Sequence, residues 1–245
     1  MRRVERPALP APAQAYLDRR QLKVDRDDRL GTLNIERQWR SARQTKAMAR
    51  ALQVLRQMMG PRERCMYCVD SHGCDIEHFR PKMLYPTHAF QWPNLLLCCT
   101  ECGRFKGAQF PIADGQPLLI DPTAEDPWQH LDFDPDTGDL TARFDIQAND
   151  WSRKGAKTVE VLRLDRREAL GNVYKATFRR LCRIVQTWLA ADAIAAPELL
   201  AELREADHHG LLPWCFSSSG RTVAPFTTLH QRHQAVWVAC RQALQ

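Results

Sequence analysis

The chain has 245 residues, a hydrophobic fraction of 44% and a charged fraction of 26%, values typical of an ordinary globular protein with a sizeable core. Lysine and arginine number 35 against 29 aspartates and glutamates, so the formal net charge of +6 fits a polyanionic partner without requiring one. No apolar run approaches the roughly 18 residues of a membrane span, and the first residues lack the apolar core of a signal peptide. We therefore expect no membrane association and a cytoplasmic location.

The first quarter of the chain is predicted to be helical. After an irregular arm over residues 1–13, a short helix is expected at residues 14–23. A longer helix is predicted from a cap at Thr32 or Asn34 to Met59, because apolar residues recur at helical spacing and a Gly-Pro pair follows. The other side of this helix is basic and includes Arg37, Arg40 and Arg43. That basic side indicates either a solvated surface or one that follows the phosphates of a nucleic acid.

Six of the nine cysteines lie between residues 65 and 102, which favours a metal site in a reducing compartment over disulfide bonds. Two Cys-x-x-Cys pairs, Cys65/Cys68 and Cys99/Cys102, are separated by 30 residues. Four thiolates in two such pairs suit tetrahedral Zn²⁺ with no open coordination position, so the metal would be structural. One interpretation is a plain zinc ribbon with incidental polar residues between its halves. The spacer, however, is longer than is usual in such ribbons.

The spacer between the cysteine pairs contains three polar residues at positions where strands begin or end. Glu77 and His78 close a predicted strand over residues 76–78, and Asn94 precedes a returning strand over residues 95–97. The order Cys-x-x-Cys, Glu-His-x-x-Pro, Asn-Leu, Cys-x-x-Cys and a trailing lysine resembles the HNH endonucleases of the ββα-metal fold.

The resemblance extends over about residues 60 to 185, through Phe110-Pro111, Leu119 to Pro122, His130 to Phe133 and Ala156 to Arg166. These segments resemble one HNH branch, which includes the nuclease component of Septu-type and retron-linked anti-phage systems. Those nucleases work beside an ABC-type ATPase. The resemblance therefore implies such an ATPase as a partner protein, with a nucleic acid as substrate.

The resemblance also implies roles for individual residues. His78 takes a proton from the attacking water, which a neutral imidazole can do near pH 7 without a large pKa shift. Glu77 binds a single Mg²⁺ or Mn²⁺ that polarises the scissile phosphate. Asn94 tethers the loop between the strands and orients the histidine. Lys106 is a basic residue on the helix that closes the site.

The chain departs from the family pattern at Gly103, where the family usually has Asn or His as the second metal ligand. We expect Asp121, which precedes a proline, to supply the missing ligand, with Asp75 as the second choice. Arg80 and Lys82 flank His78 and are either charge-assisted donors to substrate phosphates or loop cations in water. Arg104 and Lys106 follow Cys102 on the side of the helix that is expected to face DNA.

Beyond the motif, we predict a short strand over residues 118–121, a hairpin over residues 131–144 and helices from residue 151 onward. The predicted fold is α+β and mostly helical, with a zinc-stapled ββα-metal (HNH) core between helical segments. The predicted divisions are an N-terminal arm and basic helix (1–62), a nuclease core with its following hairpin (63–145) and a C-terminal helical region (146–245).

The predicted function is metal-dependent hydrolysis of phosphodiester bonds, with DNA as the expected substrate, structural Zn²⁺ and catalytic Mg²⁺ or Mn²⁺. Two alternatives stay open at this point. The chain could be a catalytically silent zinc module that binds nucleic acid or a partner, having lost a metal ligand at Gly103. It could also be a standalone, restriction-type HNH nuclease.

Overall fold

The computed structural model describes residues 1–191 and 193–244. Residues Arg3–Glu125 form one compact unit, and Met1–Arg2 with the chain from Asp126 onward form another. The predicted α+β class with mostly helical content is confirmed, and every sheet has two strands. The predicted divisions after residues 62 and 145 stay a prediction. Among the described residues, no helix is both long and apolar enough to cross a bilayer.

The unit Arg3–Glu125 begins with three helices where the sequence predicts two. The first helix is longer than predicted. The prediction of a single helix that continues to Met59 is wrong, because Thr45 interrupts it. The Thr45 hydroxyl donates to the carbonyl of Ala42 (2.7 Å) and accepts from the backbone N–H of Met48 (3.4 Å), so it ends one helix and caps the next. The helices are α1 (Ala11–Arg29), α2 (Ile35–Arg43) and α3 (Lys46–Met58).

The predicted strand pair in the centre of this unit is confirmed. Strand β1 (Asp75–His78) pairs antiparallel with β2 (Leu95–Cys98), and Glu77 lies opposite Leu96. Every residue of β2 is buried and α3 packs against the strand, which explains the unbroken apolar run Leu-Leu-Leu. Helix α4 (Thr100–Lys106) follows β2 directly. The first cysteine pair therefore precedes β1, and the second lies at the start of α4.

The strand predicted over residues 118–121 is wrong. The pairing lies just before it, between β3 (Ile112–Ala113) and β4 (Gln116–Pro117). Leu119 and Ile120 are buried without belonging to a strand, so their apolar character reflects packing in the core and not pairing in a sheet.

The second unit contains the predicted hairpin, which is confirmed as β5 (Leu131–Phe133) and β6 (Leu140–Ala142), followed by β7 (Phe144–Asp145) and β8 (Asp150–Trp151). The chain after residue 151 is helical as predicted. Its helices are α5 (Arg153–Leu162), α6 (Glu168–Leu189), α7 (Ala196–Ala206), α8 (Leu212–Ser217), α9 (Phe226–Arg232) and α10 (Gln234–Gln242).

Candidate active site and metal centre

The two Cys-x-x-Cys pairs come together in one buried cluster. The sulfurs of Cys65, Cys68, Cys99 and Cys102 all lie within 4.8 Å of one another, and those of Cys68 and Cys99 are 3.9 Å apart. A tetrahedral zinc with metal–sulfur bonds of about 2.3 Å needs sulfurs about 3.8 Å apart, so the donor set and its spacing fit this ion. The cluster can therefore hold a metal ion such as zinc. Cys74 is exposed and stands outside it.

His78 ends β1 and is fixed by its ring nitrogen Nε2, which lies 3.0 Å from the carbonyl oxygen of Ala89. A carbonyl oxygen only accepts, so Nε2 must carry the proton and Nδ1 must carry the lone pair when the ring is neutral. The Trp39 ring of α2 packs edge-on against the imidazole, with 4.2 Å between the two ring centroids. Within the described residues Nδ1 makes no hydrogen bond, so its lone pair is free for a water molecule.

The His78 ring is 5% exposed, and burial lowers its pKa to about 3, helped by the positive charges of Lys82 and Lys106. The role of His78 as the base stays a prediction. The ring is neutral throughout the physiological pH range. A bound phosphate would add negative charge near this ring and would raise its pKa toward neutrality.

Glu77 and Lys106 form a buried ion pair next to His78. The Lys106 ammonium donates to Glu77 Oε1 (3.0 Å) and to the carbonyl oxygen of His78 (2.7 Å), and it has no exposed surface. Glu77 Oε1 also accepts from the backbone N–H of His78 (3.0 Å). Burial raises the pKa of Glu77, and the nearby Lys106 opposes that rise. Lys106 thus holds β1 and the end of α4 together and has no surface for a substrate.

Asn94 lies just before β2 and holds the loop that connects the strands. Its side-chain oxygen accepts from the backbone N–H of Arg80 (2.7 Å), while its amide donates to the carbonyls of Arg80 (3.1 Å) and His88 (2.9 Å). His88 directly precedes Ala89, whose carbonyl fixes His78. Asn94 therefore acts on His78 through the loop, and within the described part of the chain it makes no hydrogen bond to the imidazole.

Gly103 lies beside the second oxygen of Glu77. A Cβ atom at position 103 would stand 3.5 Å from Glu77 Oε2 and 3.7 Å from Cys98 Sγ, which is ordinary van der Waals contact. A longer side chain at this position would consequently start next to the carboxylate that is predicted to bind the divalent ion.

A cleft of about 330 Å³ opens between β1, α2 and the loop after β1, and Glu77, His78 and Asp75 all line it. Asp75 is paired with Arg43 at 2.8 Å. Asp121 is not among the lining residues. Its carboxylate instead accepts from the backbone N–H and hydroxyl of Thr123 at 2.9 and 2.8 Å, and burial raises its pKa. The structure therefore brings Asp75 to Glu77 and His78 but does not place Asp121 with them.

The basic residues predicted to contact phosphates lie in different surroundings. Lys82 lines the cleft and is paired with Glu36 at 3.1 Å, and the Arg80 guanidinium lies over the rings of Tyr85 and Phe110 at 5.8 and 5.4 Å. The others on α2 and α4, apart from the buried Lys106, are exposed. These are Arg37, Arg40, Arg43 and Arg104.

Helix α2 contributes residues to the cleft that the sequence did not suggest as part of the site. Trp39 and Glu36 line it, and the ion pairs of Glu36 with Lys82 and of Arg43 with Asp75 connect α2 to the segment around β1. In the sequence, Trp39 is simply one of the apolar residues that recur at helical spacing in the helix predicted there. No local motif connects position 39 with position 78, so only tertiary packing reveals the contact.

The chain is similar to Septu protein PtuB. The protein of that name from Bacillus mycoides (strain KBAB4) is 36% identical over 137 residues, which cover 43% of this chain and 44% of the relative. The one from Bacillus thuringiensis is 30% identical over 112 residues, which cover 44% of this chain and 38% of the relative. The predicted relationship to Septu proteins is thereby confirmed.

The similarity is partial in extent. The chain matches less than half the length of these curated relatives. No protein-family model and no solved structure matches the chain.

Proposed function

We propose that the protein is a divalent-metal-dependent HNH nuclease that hydrolyses phosphodiester bonds, with DNA as its expected substrate, in an anti-phage defence system. The observation that carries the proposal is the state of His78. Its Nε2 is committed to the Ala89 carbonyl, so a neutral imidazole presents the Nδ1 lone pair in a cleft that also contains Glu77.

In hydrolysis, a water molecule attacks the phosphorus atom and loses a proton. The bond from phosphorus to one oxygen of the nucleic-acid backbone then breaks. His78 Nδ1 accepts that proton in the proposed reaction. The negative charge of the substrate phosphate favours the imidazolium that forms in this step. Asn94 keeps the loop, and through it the Ala89 carbonyl, in register with His78.

Glu77 Oε2 is the oxygen that would hold the divalent ion, with Asp75 as a second carboxylate in the same cleft. Bound Mg²⁺ or Mn²⁺ would stabilise the charge that develops on the phosphate and on the leaving oxygen. The four-cysteine cluster would hold Zn²⁺ as a structural ion, because four thiolates leave no coordination position for a substrate.

The proposed partners follow from charge and from the Septu relationship. Arg37, Arg40 and Arg104 are exposed, and arginine recognises phosphate oxygens through two parallel hydrogen bonds. By analogy with the Septu-type systems that the sequence resembles, the protein would work beside an ABC-type ATPase. A standalone, restriction-type nuclease would need no such partner, and co-purification from the native operon distinguishes the two.

A second function is favoured by a specific contact: the buried Lys106 ammonium already neutralises Glu77, and Gly103 offers no ligand. A catalytically silent zinc module that binds nucleic acid would have the same features. The two proposals differ in what the intact protein does to a substrate.

Incubation of the protein with single- and double-stranded DNA and RNA, in Mg²⁺, Mn²⁺ or EDTA, tests the proposal. We expect cleavage with Mg²⁺ or Mn²⁺ and none with EDTA. Binding without cleavage of any substrate, with the ATPase partner present as well as absent, would establish the silent module instead.

A further inference from the structure

One peptide group lies between His78 and helix α1. The carbonyl oxygen of Ala89 accepts from His78 Nε2 at 3.0 Å, and the N–H of Phe90 in the same peptide group donates to Gln21 Oε1 at 2.8 Å. A peptide group is planar and rigid, so its two ends cannot move independently. The orientation of the carbonyl that fixes His78 is therefore coupled to the side chain of Gln21.

The Gln21 amide is itself fixed in one orientation. Its oxygen faces an N–H, and its nitrogen donates to the carbonyl of Pro86 (3.1 Å) and to the carboxylate of Asp25 (2.7 Å). If the amide were reversed, its NH₂ group would face the Phe90 N–H and its oxygen would face the oxygens of Pro86 and Asp25. Only the orientation described here gives every donor an acceptor. Gln21 is 8% exposed and thus holds two points of the loop, Pro86 and Phe90, from inside the protein.

Other contacts hold the neighbouring parts of the same loop. Asn94 donates to the carbonyl of His88, and the Trp39 ring packs on the Phe90 ring at 5.3 Å as well as on His78. Without Gln21 the loop would keep these anchors. The Ala89–Phe90 peptide group, however, would lose the hydrogen bond that sets its rotation.

We propose that Gln21 is a positioning residue for His78: through the Ala89–Phe90 peptide group it fixes the imidazole with Nε2 protonated and Nδ1 directed to the substrate. The inference rests on the proposed nuclease function for its consequence in catalysis. Its structural part does not depend on that function. Hydrogen bonds at both ends of the peptide group also polarise it, which strengthens the bond to His78.

The test replaces Gln21 with methionine, which has nearly the same shape and cannot make these hydrogen bonds. The matched control is Gln14→Met, the same change in the same helix; among the residues that the structure describes, the Gln14 side-chain amide bonds only Asp18, at 2.8 Å. Cleavage kinetics, zinc content and the ring ¹H–¹⁵N spectrum of His78 are measured for both. The His78 signals are assigned by their loss in His78→Gln.

We expect Gln21→Met to lower kcat by about tenfold with an unchanged KM and unchanged zinc content, because a misplaced catalytic group loses rate without losing substrate binding. The slowly exchanging Nε2–H signal of His78 in the parent should weaken in Gln21→Met and persist in Gln14→Met. An unchanged His78 spectrum in Gln21→Met would overturn the inference, whether or not the parent cleaves any nucleic acid. A changed spectrum, with no cleavage by the parent either with or without the ATPase partner, would leave the positioning role intact and refute the nuclease proposal.

Discussion

At the scale of single residues, the two carboxylate oxygens of Glu77 have different surroundings. Oε1 accepts hydrogen bonds from Lys106 and from the His78 backbone, whereas Oε2 faces the position of Gly103. Only Oε2 is therefore available to a divalent ion. Asp75 in the same cleft is already paired with Arg43, and one free carboxylate oxygen is a weak site for Mg²⁺, which usually completes its shell with water and substrate phosphate. We infer that this chain needs a high metal concentration in the absence of substrate.

Replacing Gly103 with asparagine should strengthen metal binding. The new Cβ makes ordinary contact with Glu77 Oε2, so the amide oxygen of Gly103→Asn can join that oxygen around one ion. We expect the Mn²⁺ concentration that gives half-maximal cleavage to fall by about tenfold. Gly103→Ala is the control, since it adds the Cβ without a ligand. Equal metal dependence of the two variants would show that no ion binds between positions 77 and 103.

At the scale of elements, the cysteine cluster joins pieces of structure that are each too small to be stable alone. The hairpin of β1 and β2 has four residues per strand, and α4 has seven residues, begun by Cys99 as its N-cap. Short elements of this kind are marginal in water without a further restraint. Metal binding should therefore contribute directly to the folding of this region.

Removal of one zinc ligand should consequently unfold the region around the site. We expect one tightly bound zinc per chain in the parent, and Cys65→Ser to lose the zinc and the cooperative thermal transition. Cys74→Ser is the matched control, because Cys74 lies in the same segment but is exposed and outside the cluster. Soluble Cys65→Ser protein that melts like the parent would contradict a structural zinc.

The elements that could be predicted from sequence are those with local signals. Strands β1 and β2 follow from apolar runs beside the cysteine pairs, and the hairpin of β5 and β6 follows from its turn residues. The break at Thr45 is not visible in the sequence, because apolar residues keep their helical spacing on both sides of it. The helix ends there because the Thr45 hydroxyl caps the next helix. The buried run at Leu119 was mistaken for a strand because burial and pairing give the same short pattern.

The candidate site was predictable only in part, for the same reason. The cysteines, Glu77, His78 and Asn94 occupy one recognisable motif. The structure gathers the four cysteines in one cluster and places Glu77 and His78 in one cleft, while Asn94 holds the loop beside them. Trp39 and Gln21 stand 39 and 57 positions from His78 in the sequence, and only the packing of α1 and α2 brings them near the imidazole and its loop. No periodicity or spacing encodes such contacts.

At the scale of the whole molecule, the cleft lies within the unit Arg3–Glu125, and residues on either side of the cysteine motif contribute to its surroundings. The N-terminal helices are thus part of the proposed active site, although the predicted nuclease core began at residue 63. A variant that lacks α1 and α2 would lose Trp39 and Gln21 as well as the arginines of α2. Experiments on activity should therefore use the full chain.

The most direct test of a nuclease centred on His78 is the single-turnover cleavage rate of His78→Ala, measured beside His72→Ala. His72 lies in the same segment with an exposed side chain and outside the cleft, so it controls for the loss of an imidazole. We expect His78→Ala to bind zinc and nucleic acid like the parent and to cleave at least about a hundredfold more slowly, while His72→Ala cleaves normally. Parental cleavage by folded His78→Ala would contradict this expectation.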